Sequence, residues 1–175
     1  MSDLPGAADI RSATEFYAQA LAIEIEASDR YTLLAEQMEV HHNKEVAGIF
    51  RRMAALEMQH HDEIRARAGD LLVGGKKARF TWIFPDGPEV TEFEKVHYLM
   101  SPYQALDIAK RNEQRAADWF GVIATNTADP EIKRLAEQLA SEEREHVSWV
   151  ENWMKRYPPA EPGWDEDWDR PVYSE

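Results

Sequence analysis

Residues 139–150 read Leu-Ala-Ser-Glu-Glu-Arg-Glu-His-Val-Ser-Trp-Val. Leu139, Glu143, His146 and Val150 follow one another at steps of four, three and four, so an α-helix sets them on one face. Two ionisable side chains therefore lie on a stripe that is otherwise apolar. The same period runs from about Pro130 to Tyr157, adding Leu135 and Trp153. Asp129-Pro130 supplies an N-cap and a proline in the first turn, which starts a helix there.

Three further segments carry the same period. The first runs from about Ile10 to Val40, with Tyr17, Leu21, Glu24, Ser28, Tyr31, Ala35 and Met38 on one face and Ser12/Glu15 as a capping box. The second runs from about Lys44 to Ala68, with Ile49, Met53, Leu56, His60 and Ile64 along its inner side and Gly69 to end it. The third runs from Ser101 or Pro102 to about Thr127, with Leu106, Ala109, Glu113, Ala117, Phe120 and Ala124. The short joints at His41-His42-Asn43 and Ala128-Asp129 make antiparallel neighbours. The expected fold is all-α: an antiparallel four-helix bundle of two helical hairpins, residues 1–157, joined by a long crossover over 69–100. Within the crossover, RFTWIF (79–84) reads as a short strand or an apolar strap, PDGP (85–88) as a turn, and 89–99 as a short extra helix. Residues 158–175, with four prolines, alternate acids with Trp164, Trp168 and Tyr173 and read as an acidic arm that docks its aromatics on the bundle or on a second subunit.

Composition narrows the chemistry. A net charge of −13 argues against nucleic acid and against an anionic membrane surface as partners. The absence of cysteine excludes disulfides, thiolate zinc sites and iron–sulfur centres from these 175 residues. The opening MSDLPGAADIRSATEF lacks the basic and apolar regions of a signal peptide, and no apolar stretch approaches a membrane span, so a cytoplasmic location is expected.

Glu-x-x-His occurs four times, at Glu39/His42, Glu57/His60, Glu94/His97 and Glu143/His146. In a chain with 21 glutamates and six histidines the motif alone is weak. Mirror symmetry within each hairpin selects two copies. About a turn centred near His42, Glu24 lies 18 residues before and Glu57 and His60 lie 15 and 18 after. About a turn near Asp129, Glu113 lies 16 before and Glu143 and His146 lie 14 and 17 after. Each pair thus faces a lone glutamate about 25 Å from its turn. Glu24 is followed at +7 by Tyr31 and Glu113 at +7 by Phe120, so the halves look like copies. Four carboxylates facing one another in a core need protons or cations to neutralise them, and two divalent metals would match their charge. Mixed carboxylate and imidazole donors suit iron or manganese, and zinc could also bind. The candidate metal ligands are Glu24, Glu57, His60, Glu113, Glu143 and His146. His41, His42, His61 and His97 read as surface residues, and Glu26, Glu63, Glu142 and Glu145 as solvated. Tyr31 reads as a core aromatic or as a catalytic phenol close to a metal, and Tyr17 as core packing.

Glu24 with Asp29-Arg30-Tyr31-Thr32, Glu57-Met58-Gln59-His60 and Glu143-Arg144-Glu145-His146 resemble the rubrerythrin branch of the ferritin-like di-iron superfamily, over 10–68 and 101–157. The resemblance implies two iron ions as cofactor, with Glu57 and Glu143 bridging, Glu24 and Glu113 terminal, and one imidazole per metal. It implies reaction of reduced iron with hydrogen peroxide or dioxygen, and a homo-oligomer, commonly a dimer. Two departures stand out. Rubrerythrins proper carry a rubredoxin domain, for which this sequence has no cysteines, so electrons would come from a separate donor protein or from Fe(II) itself. The further glutamate that the family places three residues after the third-helix ligand is Ala116 here. The leading expectation is a di-iron oxidoreductase. The alternatives are an iron-handling ferroxidase, a di-iron oxygenase with an apolar pocket, and a structural bundle whose metal never turns over.

Overall fold

The computed structural model describes residues 10–72 and 98–159. Four helices account for most of them: α1 (Ala13–Val40), α2 (Lys44–Ala68), α3 (Pro102–Asn126) and α4 (Pro130–Met154). A single 3₁₀ turn, Gly69–Leu72, follows α2. The four sequence-predicted helices are all present, with α4 ending three residues earlier than its apolar period suggested. The expected strap, turn and extra helix at 79–99 fall almost wholly outside the described residues, as does most of the arm at 158–175.

The helix ends follow from their sequences. Ser12 caps α1 by accepting the Glu15 N–H, but the Glu15 carboxylate takes the Arg11 N–H, so the expected reciprocal box is only half formed. Ser101 and Gln104 do complete such a box at the start of α3. Asp129 caps α4, accepting the N–H groups of Glu131 and Ile132. Gly69 ends α2 with a positive φ of 49°, a conformation that favours glycine. Asn43 caps α2 through its side-chain oxygen and donates its amide to the Met100 carbonyl at 2.9 Å, tying the first turn to the start of α3.

The apolar faces close into two separate clusters. One holds Phe16, Ala20 and Ile23 of α1, Ile64 of α2, Phe120 and Ile123 of α3, and Ile132 to Ala140 of α4. The other holds Tyr31, Leu34 and Met38, the span from Val46 to Met53, Leu106 and Ala109, and Val150 and Met154. The first cluster thus gathers the end of α2, and the second gathers the start of α3. The two helices therefore run parallel, the arrangement a crossover demands. The two hairpin turns lie at opposite ends, but Glu57 and Glu143 each fall close to the midpoint of a 25-residue helix, so the two half-sites meet near the middle of the bundle. Burying these faces is the main stabilising term of such a bundle. Leu56, expected on the inner side of α2, is 36% exposed: it lies about 100° round the helix from Glu57, on the edge of the buried stripe. Among the described residues, no helix is long and apolar enough to cross a membrane.

Candidate metal centre

Between the two apolar clusters lies a polar layer. Glu24, Glu57, Glu113 and Glu143 are all sealed from solvent, and His60 is nearly so. Each hairpin contributes one glutamate from its first helix and a Glu-x-x-His pair from its second, so all six sequence-predicted positions converge on this layer.

The geometry turns the two imidazoles inward through the same atom. His60 Nδ1 lies 3.2 Å from both Glu24 Oε2 and Glu143 Oε1. His146 Nδ1 lies 3.2 Å from Glu143 Oε2 and 3.3 Å from Glu113 Oε2. Glu143 therefore presents one oxygen to each histidine. The two rings meet edge to face at 5.0 Å. Two groups of side chains have donor atoms close enough to hold an ion: Glu24, Glu57 and His60, and His60, Glu143 and His146.

His146 Nδ1 donates to Glu143 Oε2, but for most of these groups proximity is not hydrogen bonding. Both oxygens of Glu24, both of Glu113, and Glu143 Oε1 are buried without a hydrogen bond, as is His60 Nδ1. His60 Nδ1 is close enough to its carboxylates for charge attraction but misaligned for a bond. Leaving so many acceptors unsatisfied in a core costs on the order of 1–3 kcal/mol each, more where they are charged. An orphaned, all-oxygen-and-imidazole donor set is what a hard or borderline divalent cation satisfies.

Without a metal, protons must do that work. Burial opposes charge on His60, but the Glu24 and Glu143 carboxylates outweigh it and raise its pKa to about 9. Burial likewise opposes charge on His146, yet Glu113 and Glu143 raise its pKa to about 10. Burial is the largest influence on Glu143 and, with Glu24 and Glu113 nearby, raises its pKa to about 7.

The outward nitrogen of His60 shows a residue that periodicity missed. His60 Nε2–H donates to Glu142 Oε2 at 3.2 Å. Arg67 Nη1 donates to both Glu142 oxygens at 2.8 Å, and Gln138 adds another bond at 3.1 Å. This holds Nδ1 of His60 as the inward-facing nitrogen. Glu142 was expected to be solvated. It is half-buried because its position, beside the stripe, points at the opposite hairpin rather than at water. His61, expected at the surface, is also buried, at 8% exposure, with Nδ1 3.1 Å from Asp62 Oδ1. It follows His60 directly and packs at the edge of the interface. The surviving signal for Glu142 was its place immediately before a motif glutamate.

Tyr31 is fully buried, stacked on Phe50 at 6.1 Å, and its hydroxyl accepts the Asn112 amide at 3.2 Å. Arg115 donates in turn to Asn112 Oδ1. Tyr17 lies in the core edge-on to Phe16. Ala116, one turn beyond Glu113, is fully buried and brings no carboxylate to the layer.

Comparison with known proteins agrees with this architecture. The rubrerythrin family profile matches residues 15–154. The chain belongs to the rubrerythrin family. A solved structure of an uncharacterized conserved protein from Magnetospirillum magnetotacticum MS-1 is 37% identical with a TM-score of 0.64, covering 86% of this chain and 99% of that one. No curated protein matches the sequence. Membership of the rubrerythrin family implies a di-iron site, and the buried carboxylate and imidazole groups are its candidate ligands.

Proposed function

We propose that this rubrerythrin-family protein is a di-iron oxidoreductase that reduces hydrogen peroxide or dioxygen, with Glu24, Glu57, His60, Glu113, Glu143 and His146 as its metal ligands. One observation carries the reading: a sealed layer in which four carboxylates and two inward-facing Nδ1 atoms converge while most of the acceptors lack hydrogen bonds. Nothing but cations or protons makes such a layer tolerable.

Iron held there would supply electrons and stabilise negative charge that develops on an oxygen substrate. The chain's own residues set the conditions. Glu143, with an oxygen toward each imidazole, is placed to link the two half-sites. Glu142 and Arg67 keep the His60 ring in its binding orientation. The apolar clusters on either side exclude bulk water and so strengthen electrostatic interactions inside. Tyr31 is the proposed catalytic phenol. Its oxygen accepts from the Asn112 amide, which fixes the position of the phenol about two turns beyond Glu24 on the same face of α1. Reducing equivalents would come from a separate donor protein. A cytoplasmic location and a dimer accord with this reading.

The test is rapid mixing of Fe(II)-loaded protein with peroxide. Oxidation of two Fe(II) per chain, faster than free Fe(II), is expected; oxidation no faster than free iron would remove the proposal. A second reading, an iron-handling ferroxidase, is favoured by Ala116, which leaves α3 a single carboxylate in the layer. It predicts continued oxidation and retention of Fe(II) beyond two per chain.

A further inference from the structure

On the outer face where α2 and α4 come together, Arg52, Ala55, Leu56, Gln59, Trp153 and Arg156 line an open groove of about 440 Å³. Its floor is apolar. The Arg52 guanidinium lies over the Trp153 ring, 5.3 Å from its centroid. Arg30, Arg51, Arg67 and Arg111 each pair with a carboxylate. Among the described residues, neither Arg52 nor Arg156 has such a partner. In a chain of net charge −13, two guanidinia beside an apolar cleft, without a carboxylate partner among the described residues, form a local site for an acidic, aromatic ligand.

The chain itself supplies one. Residues 160–175 begin four positions after Arg156 and hold Glu161, Asp165, Glu166, Asp167, Asp169 and Glu175 against a single Arg170. Trp164 and Trp168 are interleaved with those acids. From Pro159 to Trp164 an extended chain reaches about 17 Å, whereas the groove from Arg52 to Gln59 is about 10 Å long on a helix. Tethering also gives this segment an effective concentration that a free partner must exceed.

We propose that segment 160–175 folds back along α4 and seats a tryptophan, Trp164 or Trp168, in the groove beside Trp153, with its carboxylates on Arg52 and Arg156. The indole gains apolar burial, and the flanking acids neutralise the guanidinia.

The experiment is limited chymotrypsin digestion of the full chain, following cleavage after Trp164 and Trp168 by mass spectrometry. Arg52→Glu/Arg156→Glu should speed cleavage there by about five-fold or more, and high salt should do the same to the parent protein. Arg52→Gln/Arg156→Gln, which removes charge without reversing it, should give a smaller rise and serves if the first variant does not fold. Parent-like rates in a folded variant of either kind, with no salt effect, overturn the proposal. Protection that vanishes on dilution, together with dissociation seen by sedimentation, would assign the groove to a second copy and overturn it equally.

Discussion

The two halves of the polar layer are built from the same motif in the same register, yet they are not equivalent. His60 is nearly sealed, and its outer nitrogen is tied to Glu142, which is held by Arg67 and Gln138. The His146 side chain is 15% exposed, and its ring rests at 5.0 Å against Trp149, itself 53% exposed. The cause lies one residue before each motif glutamate: Glu142 in the second copy, Leu56 in the first. Glu142 crosses to the opposite hairpin and fixes His60. Leu56, its repeat mate, has nothing to offer His146 and lies at the groove. One half-site is closed and braced from its outer side; the other is more open, its ring held from within by Glu143.

The comparison breaks most completely at Glu143, whose oxygens face both histidines. Glu143→Ala should cost both half-sites, lowering divalent-metal affinity by about 100-fold or more, as read by Co(II) titration with the visible spectrum. Retention of two tightly held Co(II) per chain would show that Glu143 links nothing. A smaller and one-sided effect is expected for Glu142→Leu. Removing the brace on His60 should weaken one of two Co(II) sites by about 10- to 100-fold and leave the other near its parent value. Leu56→Glu sharpens the contrast from the other direction by giving His146 an acidic neighbour and narrowing the gap between the two sites.

Protons provide a third contrast, between metal-free and loaded protein. His60, His146 and Glu143 all have pKa values raised in the fold, to about 9, 10 and 7. A raised value means the folded state binds the proton more tightly than the unfolded chain. The associated stability is therefore complete at low pH. It is lost from about 4.5 to 7 for Glu143, and from about 6.5 to 10 for the imidazoles. The melting temperature of metal-free protein should fall across pH 6.5 to 10, while that of the loaded protein changes less, because metal replaces those protons. Parallel curves would contradict this. The smallest effect concerns Tyr31→Phe, which leaves the stack on Phe50 intact and removes one acceptor from Asn112. It should cost about 1 kcal/mol in denaturant unfolding. If the phenol is catalytic, it should also slow oxidation by peroxide without changing metal stoichiometry.

Much of this was legible in the residues. Apolar period and capping signals placed all four helices, and counting outward from each turn picked Glu24, Glu57, His60, Glu113, Glu143 and His146 from four copies of a common motif. What escaped were residues at the margin of a stripe. A helix position about 100° from the buried face can turn to water or to a neighbouring helix, and its own period does not decide which. Glu142 and His61 turned inward; Leu56 turned out. Their fates depend on how the hairpins stack, a tertiary fact that local spacing does not carry. The Ser12/Glu15 box failed for a related reason: the Glu15 carboxylate had a competing donor in the Arg11 N–H.

The most direct measurement is anomalous diffraction at the iron edge from crystals grown with Fe(II). The account predicts two peaks per chain, about 4 Å apart, within the ring formed by Glu24, Glu57, His60, Glu113, Glu143 and His146. No peak in that ring, or iron bound only by exposed carboxylates elsewhere, would contradict it.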